Sequence, residues 1–314
     1  MTRITTLHFH KPGLQTLVVD QGRTGYQAWG VPVGGAMDRS SAQLANWLVG
    51  NLWEAPVLEI TLMGPIVKIE GDCQIAITGA NLSPKLGQRS LPMYETVTVE
   101  NAADLSFGKP LSGCRAYLAI GGHWQVPKWL ASHSALAYDS TGVTTDSLIK
   151  KNTILSVDTN TKIEPRKIPF DQRPEFSHSQ KIRVLPGPEF GLFTKPLQNQ
   201  LVTKSFTLSK DSNRMGCRLN TVLEGYEPET ELISSGIVPG TIQVTASGQL
   251  VLLMADAQTS GGYPRIANVI TSDLDVVGQL KPGDEVSFTL VDLAAAYRLC
   301  EEVRKKEVLP NRTK

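Results

Sequence analysis

The sequence predicts a mainly β chain folded as two barrel- or sandwich-like units with a few short helices. Three observations carry that prediction. Short runs rich in β-branched residues recur along the chain, each bounded by Gly, Pro, Asn or Asp. Helical periodicity is confined to two segments, which disfavours alternating βαβ units. A charged, proline-containing stretch without periodicity, 161–179, reads as a linker or surface excursion and divides the chain into halves of comparable size.

The elements follow in order. His8 and His10 alternate about Phe9 as a strand near the N-terminus would. A strand is expected over 15–20. Asp38 then caps a helix that ends at Gly50, with Leu44, Ala45, Leu48 and Val49 on one stripe and Asn46 away from its centre. Strands over 57–62, 66–70, 74–78 and 115–120 complete a first unit, 1–160. The second unit, 180–314, holds strands over 181–185, 205–208, 241–245, 250–254 and 285–290. Lys281-Pro282-Gly283-Asp284 is a turn in which proline presets one dihedral and glycine supplies the positive one, delivering the chain into the last strand. A helix starting near Asp292 is expected to bury Leu293, Ala296, Tyr297 and Cys300. The halves share a faint echo: Asp20-Gln21-Gly22-Arg23-Thr24-Gly25 resembles Asp211-Ser212-Asn213-Arg214-Met215-Gly216, each followed by a Gly/Pro turn, as a duplicated unit would leave.

Composition narrows the function classes. At 314 residues the chain can bury one large or two medium cores. Its 31 basic and 30 acidic residues give a net charge of +1, without the basic footprint of a nucleic-acid binder. No apolar stretch approaches the roughly 20 residues that span a bilayer, and the N-terminus lacks a signal-type hydrophobic segment, so a soluble cytoplasmic protein is expected. Cys73, Cys114, Cys217 and Cys300 lie far apart with no paired metal-ligand spacing, and read as core thiols. No metal is expected.

The most informative stretch is 250–264, LVLLMADAQTSGGYP. A continuous apolar run of this length is what a strand buried on both faces looks like. It opens at once onto Asp256, Gln258, Thr259, Ser260, Gly261, Gly262 and Tyr263. A polar, glycine-rich segment at the mouth of a rigid strand is where scaffolds present ligand-binding groups. An ordinary surface turn uses the same residue types, and the pattern alone does not separate the two.

Taken as an ordered set, the motifs resemble the biotin-dependent carboxyltransferase family, the allophanate-hydrolase-subunit-2-like proteins. They are GRTGYQAWGVPVGGAMDRSSAQLANWLVGN, VLEITLMGP and TGA in the first half, and SNRMGCRL, SSGIVPGTIQV and DAQTSGGYPRIANVITSDLDVVGQLKPGDEVSF in the second. The resemblance runs from about Gly13 to Ala296 and implies a cyclophilin-like, mainly β architecture of two related barrel units. Some positions depart from the family pattern. Leu130-Ala131-Ser132-His133-Ser134-Ala135 stands where relatives carry Gly-Ser-Arg-Ser-Thr, Cys217 replaces a frequent Tyr, and Gln249 a frequent Pro. If that family arginine touches substrate, the contact is lost here or supplied by another residue.

The resemblance also implies a chemistry. Family members act in urea carboxylation through carboxybiotin, or in ATP-dependent opening of the 5-oxoproline lactam. This sequence contains neither a biotinyl-lysine motif nor a GxxxxGK[ST] loop. The expectation is therefore a C-type subunit of a 5-oxoprolinase, working with a homologous B-type subunit and an A-type hydrolytic subunit, with ATP used by the complex and no biotin on this chain. Opening a phosphate-activated lactam needs donors for developing negative charge, an acceptor for the ring N–H, and a cation for the substrate carboxylate. Asp256, Gln258 and Arg214 are the expected catalytic residues, with Arg214 holding a carboxylate bidentately. Gln243, Thr259, Gly261, Gly262 and Tyr263 are the expected substrate-binding residues. Each also has a plain structural reading. Arg214 could pair at the surface with Asp211 or Glu224, worth only about 0–1 kcal/mol. Asp256 could cap a turn, Gly261 and Gly262 could serve only positive dihedrals, Gln243 could face outward, and Tyr263 could be a core aromatic. Arg23, Asp38, Asn46 and Glu59 are similarly poised in the first half and read as structural. Two further functional readings stay open: the carboxyltransferase component of a split urea or amide carboxylase, and a regulatory binding protein that antagonises a kinase inhibitor.

Overall fold

The computed structural model describes residues 3–138, 141–159, 162–228 and 232–306, and these form two compact units. Of the described residues, those within 3–23 and 34–176 form the first, and those within 24–33 and 177–306 the second. Among the described residues, no helix is long and apolar enough to cross a membrane.

The first unit contains two sheets. The five-stranded sheet runs in the order Gln15–Val19, Val57–Thr61, Ser112–Ile120, Cys73–Asn81, Val97–Val99, with every pairing antiparallel. The seven-stranded sheet places Arg3–Lys11 between Ile154–Thr159 and Ile66–Glu70. Leu7, Phe9, Val67, Ile69 and Leu105 of the larger sheet share one core with Leu58, Ile60, Ile75, Leu118 and Ile120 of the smaller. The opposite face of the smaller sheet, through Val19, Val57, Tyr117 and Ala119, packs on Ala42, Ala45 and Leu48 of helix α1 (Arg39–Leu48). Covered on both sides, Val57–Thr61 is buried at every position, its polar Glu59 and Thr61 included. Removing the Leu48 side chain from this layer would cost about 2–5 kcal/mol.

Asp38 caps α1 as expected, accepting from Ser41 N at 2.9 Å and Ser41 Oγ at 2.6 Å. Asn46 is fully buried, its Nδ2 donating to Ala55 O at 2.7 Å and its Oδ1 accepting from Asn51 at 3.1 Å, so it fixes the turn that leaves the helix. The aperiodic stretch after 161 finds its hydrogen bonds on the first unit. Gln74 exchanges two bonds of 2.8 Å with Ile163, Ile168 N donates to Tyr94 O at 3.0 Å, and the Arg166 guanidinium lies 4.8 Å over the Trp47 ring.

The second unit is built on a seven-stranded sheet that curls on itself, with a two-stranded ribbon beside it. Its order is Phe206–Thr207, Glu285–Leu290, Ser179–Pro186, Arg265–Val269, Thr241–Val244, Gln249–Leu253, Gly216–Val222. Only the Ser179–Pro186 and Glu285–Leu290 pair is parallel. A bridge between Leu208 and Leu219 links the first strand's end to the last strand, so the sheet is nearly a closed barrel. Buried Ile182, Val184, Ile242, Leu252, Ile266, Val286 and Phe288 come from its strands, and the Phe206 and Phe288 rings sit 5.5 Å apart. The 281–284 turn forms as expected, with Gly283 at φ 89° and Asp284 N bonded to Lys281 O at 3.0 Å.

Two helical features differ from expectation. Helix α2 (Lys195–Thr203) carries a buried stripe of only Leu197 and Leu201, too sparse to stand out in sequence; α3 (Leu274–Gly278) is shorter still. In α4 (Leu293–Lys306), Ala296 is buried, but Leu293 and Tyr297 are 58% and 67% exposed. Cys300 is half-buried, so of the four residues expected inside only Ala296 is fully buried.

Candidate functional site

The 250–264 stretch behaves as a strand followed by a polar crossing. Gln249–Leu253 pairs antiparallel with Gly216–Val222, Gly216 opposite Leu253, so the residue ahead of one strand lies beside the residues that leave the other. Met254 N donates to Met215 O at 3.0 Å and Asp256 N to Arg214 O at 2.9 Å. Upstream, Asn213 Oδ1 accepts from Met215 N at 2.8 Å, a local turn that sets the direction of Arg214.

This backbone register brings Arg214 and Asp256 together. Arg214 Nε donates to Oδ2 at 2.9 Å and Nη2 to Oδ1 at 2.8 Å, a bidentate fork. Arg214 is 0% exposed and Asp256 5%. The arginine is therefore not a surface partner of Asp211 or Glu224, nor an uncommitted cation awaiting a carboxylate: its charge is matched within the unit.

A second group forms around Gln243. That side chain is buried, and its Nε2 donates to Tyr263 O at 3.3 Å. Ser260–Gly261 pairs with Ser235–Gly236, and Ile237 N bonds Thr259 O at 3.0 Å. Neither Gly261 nor Gly262 has positive φ. Space is what demands glycine: a Cβ on Gly261 would lie 2.8 Å from Gln243 Nε2, and one on Gly262 3.0 Å from Leu232 O. Thr259 is half-buried, whereas Gln258 and Tyr263 face solvent, the tyrosine 51% exposed. So the expected residues resolve into a buried pair, a close-packed glutamine and glycine ribbon, and two exposed polar side chains.

Sequence reasoning missed the Glu189–Arg265 pair beside this ribbon. Arg265 Nε reaches Glu189 Oε2 at 2.7 Å, Nη2 reaches Oε1 at 2.5 Å, and Nη1 donates to Gly236 O at 2.9 Å. Hydrogen bonds from Arg265, against the opposing effect of partial burial, hold the Glu189 carboxyl below the usual range. Its 76-residue separation leaves no local signal.

The first unit carries polar networks of its own. Glu59 Oε2 accepts from Tyr117 Oη at 2.9 Å and Met37 N at 2.8 Å, and Asp38 N donates to Tyr117 Oη at 2.8 Å. Burial, reinforced by the Glu59 and Asp38 carboxylates, pushes the Tyr117 phenol well above its ordinary value, so it stays a donor. Arg115 Nε lies 3.8 Å from Glu59 Oε1. Asp20 is likewise enclosed. Burial would raise its pKa, but hydrogen bonds from Ser132 Oγ and Ser134 Oγ at 2.6 Å, His133 N at 2.6 Å and Gly22 N at 2.8 Å outweigh it and hold the carboxyl below its usual value. Arg23 is buried against Ser134 O and 5.0 Å over the Trp129 ring. Of the two echoing motifs, both arginines are buried, while Asp20 is buried and Asp211 exposed.

Comparison with known proteins gives this geometry a setting. The carboxyltransferase domain family, subdomains A and B, matches residues 29–290. The C-type subunit of 5-oxoprolinase from Escherichia coli (strain K12) is 33% identical over 94% of this chain and 94% of its own length. The urea amidolyase of Saccharomyces cerevisiae is 32% identical over 95% of this chain but only 17% of its own. Among solved structures, the K. lactis urea amidolyase superposes with a TM-score of 0.88 at 31% identity, covering 96% of this chain and 20% of that one. The chain thus spans nearly all of the bacterial 5-oxoprolinase component and about a fifth or less of the fused enzymes.

Proposed function

Because this chain belongs to the carboxyltransferase domain family, we propose that it is the C-type subunit of a multi-subunit, ATP-dependent 5-oxoprolinase, opening 5-oxo-L-proline to L-glutamate. The observation that carries the reading is the end-to-end match: similarity covers 94% of both this chain and the bacterial 5-oxoprolinase component. In this reading the chain works with a B-type and an A-type subunit, and ATP belongs to the complex.

The chemistry asks for an activated lactam carbonyl and a site that steadies charge as water adds. The Asp256 carboxylate, oriented by two arginine bonds, is the acceptor that this reading assigns to the ring N–H. Backbone amides of the Thr259–Gly262 crossing supply donors where glycine allows close approach. Gln258 and Tyr263 are the exposed side chains that a bound substrate or adjoining subunit would meet first. Arg214 acts through Asp256 as a positioning residue, so the substrate carboxylate is bound by another cation.

The test is reconstitution. The purified chain with its B-type and A-type partners, ATP and 5-oxoproline should release glutamate and ADP in step, and omitting this chain should abolish both. Folded subunits that give no glutamate would sink the proposal. A second reading, carboxyl transfer from carboxybiotin to urea or an amide, draws support from the likeness to the K. lactis enzyme at a TM-score of 0.88. It requires a biotin carboxylase and a biotinyl carrier to co-purify with the chain.

A further inference from the structure

We propose that a hollow built wholly from the first unit, between residues 125–127 and 145–155, binds a free aliphatic α-amino acid. The hollow has a volume of about 370 Å³, within the range of small-molecule sites. Its wall combines two opposite charges, Asp146 and Lys150, with an apolar side formed by Val126, Leu148, Ile154 and Leu155. Ile154, one of these lining residues, is 57% exposed. Among the described residues, neither Asp146 nor Lys150 is in an ion pair, with each other or with any third group.

That pairing of features selects the ligand. A simple anion would be drawn to Lys150 and repelled by Asp146, and a simple cation the reverse. A zwitterion with an ammonium and a carboxylate satisfies both charges at once, and an aliphatic side chain covers the apolar side. An apolar molecule without charge would leave both ionic groups without any gain.

The walls are fixed in advance, which lowers the ordering cost of binding. Thr145, on the short turn Thr145–Ser147, donates its hydroxyl to Gly142 O at 2.7 Å. Lys150 N donates to Thr153 Oγ1 at 2.9 Å, and Thr153 N returns a bond to Lys150 O at 3.1 Å. His133 joins the two sides. Its Nδ1 lies 2.8 Å from Val126 O, and since a carbonyl only accepts, that nitrogen carries the proton. Its own carbonyl accepts from Ser147 Oγ at 2.6 Å, and its N–H is anchored on Asp20 Oδ2 at 2.6 Å. The His133 loop is held in turn by a two-residue hairpin turn, Leu130 and Ala131, both at positive φ without glycine.

The experiment titrates the full chain, by calorimetry, with L-leucine, 4-methylpentanoate and 3-methylbutylamine. The last two each delete one of leucine's charges. Leucine should bind saturably and roughly tenfold tighter than either. Asp146→Asn should bring leucine down to the level of 4-methylpentanoate, and Lys150→Gln to that of the amine. Both residues are exposed, so Tm should not move. No saturation below about 50 mM leucine overturns the proposal, as does equal affinity for the three ligands or leucine binding untouched by both substitutions.

Discussion

The Arg214 guanidinium and the Asp256 carboxylate meet edge to edge across neighbouring strand ends, at 2.9 and 2.8 Å, with the arginine wholly withdrawn from solvent. Two buried opposite charges hold each other in place, and neither tolerates losing the other. Arg214→Met or Asp256→Ala should each destabilise the chain by about 3–5 kcal/mol in urea unfolding, because each removes one side of a buried, doubly bonded ion pair. Arg214→Lys should also lose stability, since an ammonium cannot span both oxygens. The double change Arg214→Met with Asp256→Leu should recover much of the loss. Single variants that cost less than about 1 kcal/mol would mean the pair is exposed in solution.

Two glycines without positive φ give a contrast in backbone approach. A Cβ at position 187 would lie 2.1 Å from Arg265 O, whereas one at 261 meets the end of the Gln243 side chain at 2.8 Å. Backbone within the barrel sheet cannot step aside, but a glutamine amide can. Gly187→Ala should therefore cost about 1–3 kcal/mol or more, while Gly261→Ala costs less. If Gln243 orients substrate, Gly261→Ala should instead lower turnover in the reconstituted assay. Equal stability losses for the two would show that Gln243 is as fixed as the strand.

Asp20 predicts a contribution to the acid limb of stability. Its carboxyl is held below its ordinary value by Ser132, Ser134, His133 and Gly22, so the folded state favours the ionised form more than the unfolded state does. The stabilisation is then fully present above the unfolded pKa and lost as pH falls through the lower, folded value. Asp20→Asn should weaken the chain at neutral pH and flatten that part of the profile. A wild-type profile that matches the variant's between about pH 2 and 5, within the range of carboxyl titration, would show that Asp20 contributes nothing there.

What a sequence discloses here follows from range. The Asp38 cap, the Pro282-Gly283 turn and the strand over 66–70 depend on residues a few positions apart, and each forms where expected. The strand over 250–254 is legible too, with its polar exit. The partner of Asp256 is not, because it stands 42 residues upstream and is brought alongside only by the pairing of Gly216 with Leu253. Tyr117 with Glu59 at 58 residues, and Ser134 with Asp20 at 114, are invisible for the same reason. Periodicity locates the stripe on α4 but carries no information on how much of it the barrel covers. Leu293 and Tyr297 therefore stand exposed where burial is expected.

Gln258 and Tyr263 separate function from folding. Both face solvent beside the buried pair's segment, and Tyr263 lends only its carbonyl to Gln243. Surface substitutions without a cap, a buried contact or a special dihedral usually stay within about 0.5 kcal/mol of wild type. Gln258→Ala and Tyr263→Phe should therefore unfold at the same urea midpoint as the parent chain. If the crossing meets the lactam, Gln258→Ala should reduce kcat/KM for 5-oxoproline by about tenfold or more, the loss expected when one directed hydrogen bond disappears. Tyr263→Phe should show whether the hydroxyl or the ring matters, since it keeps the ring in place. Normal kinetics in both variants, with the complex intact, would move the reacting centre away from 258–263 and leave Asp256 buried for structure alone.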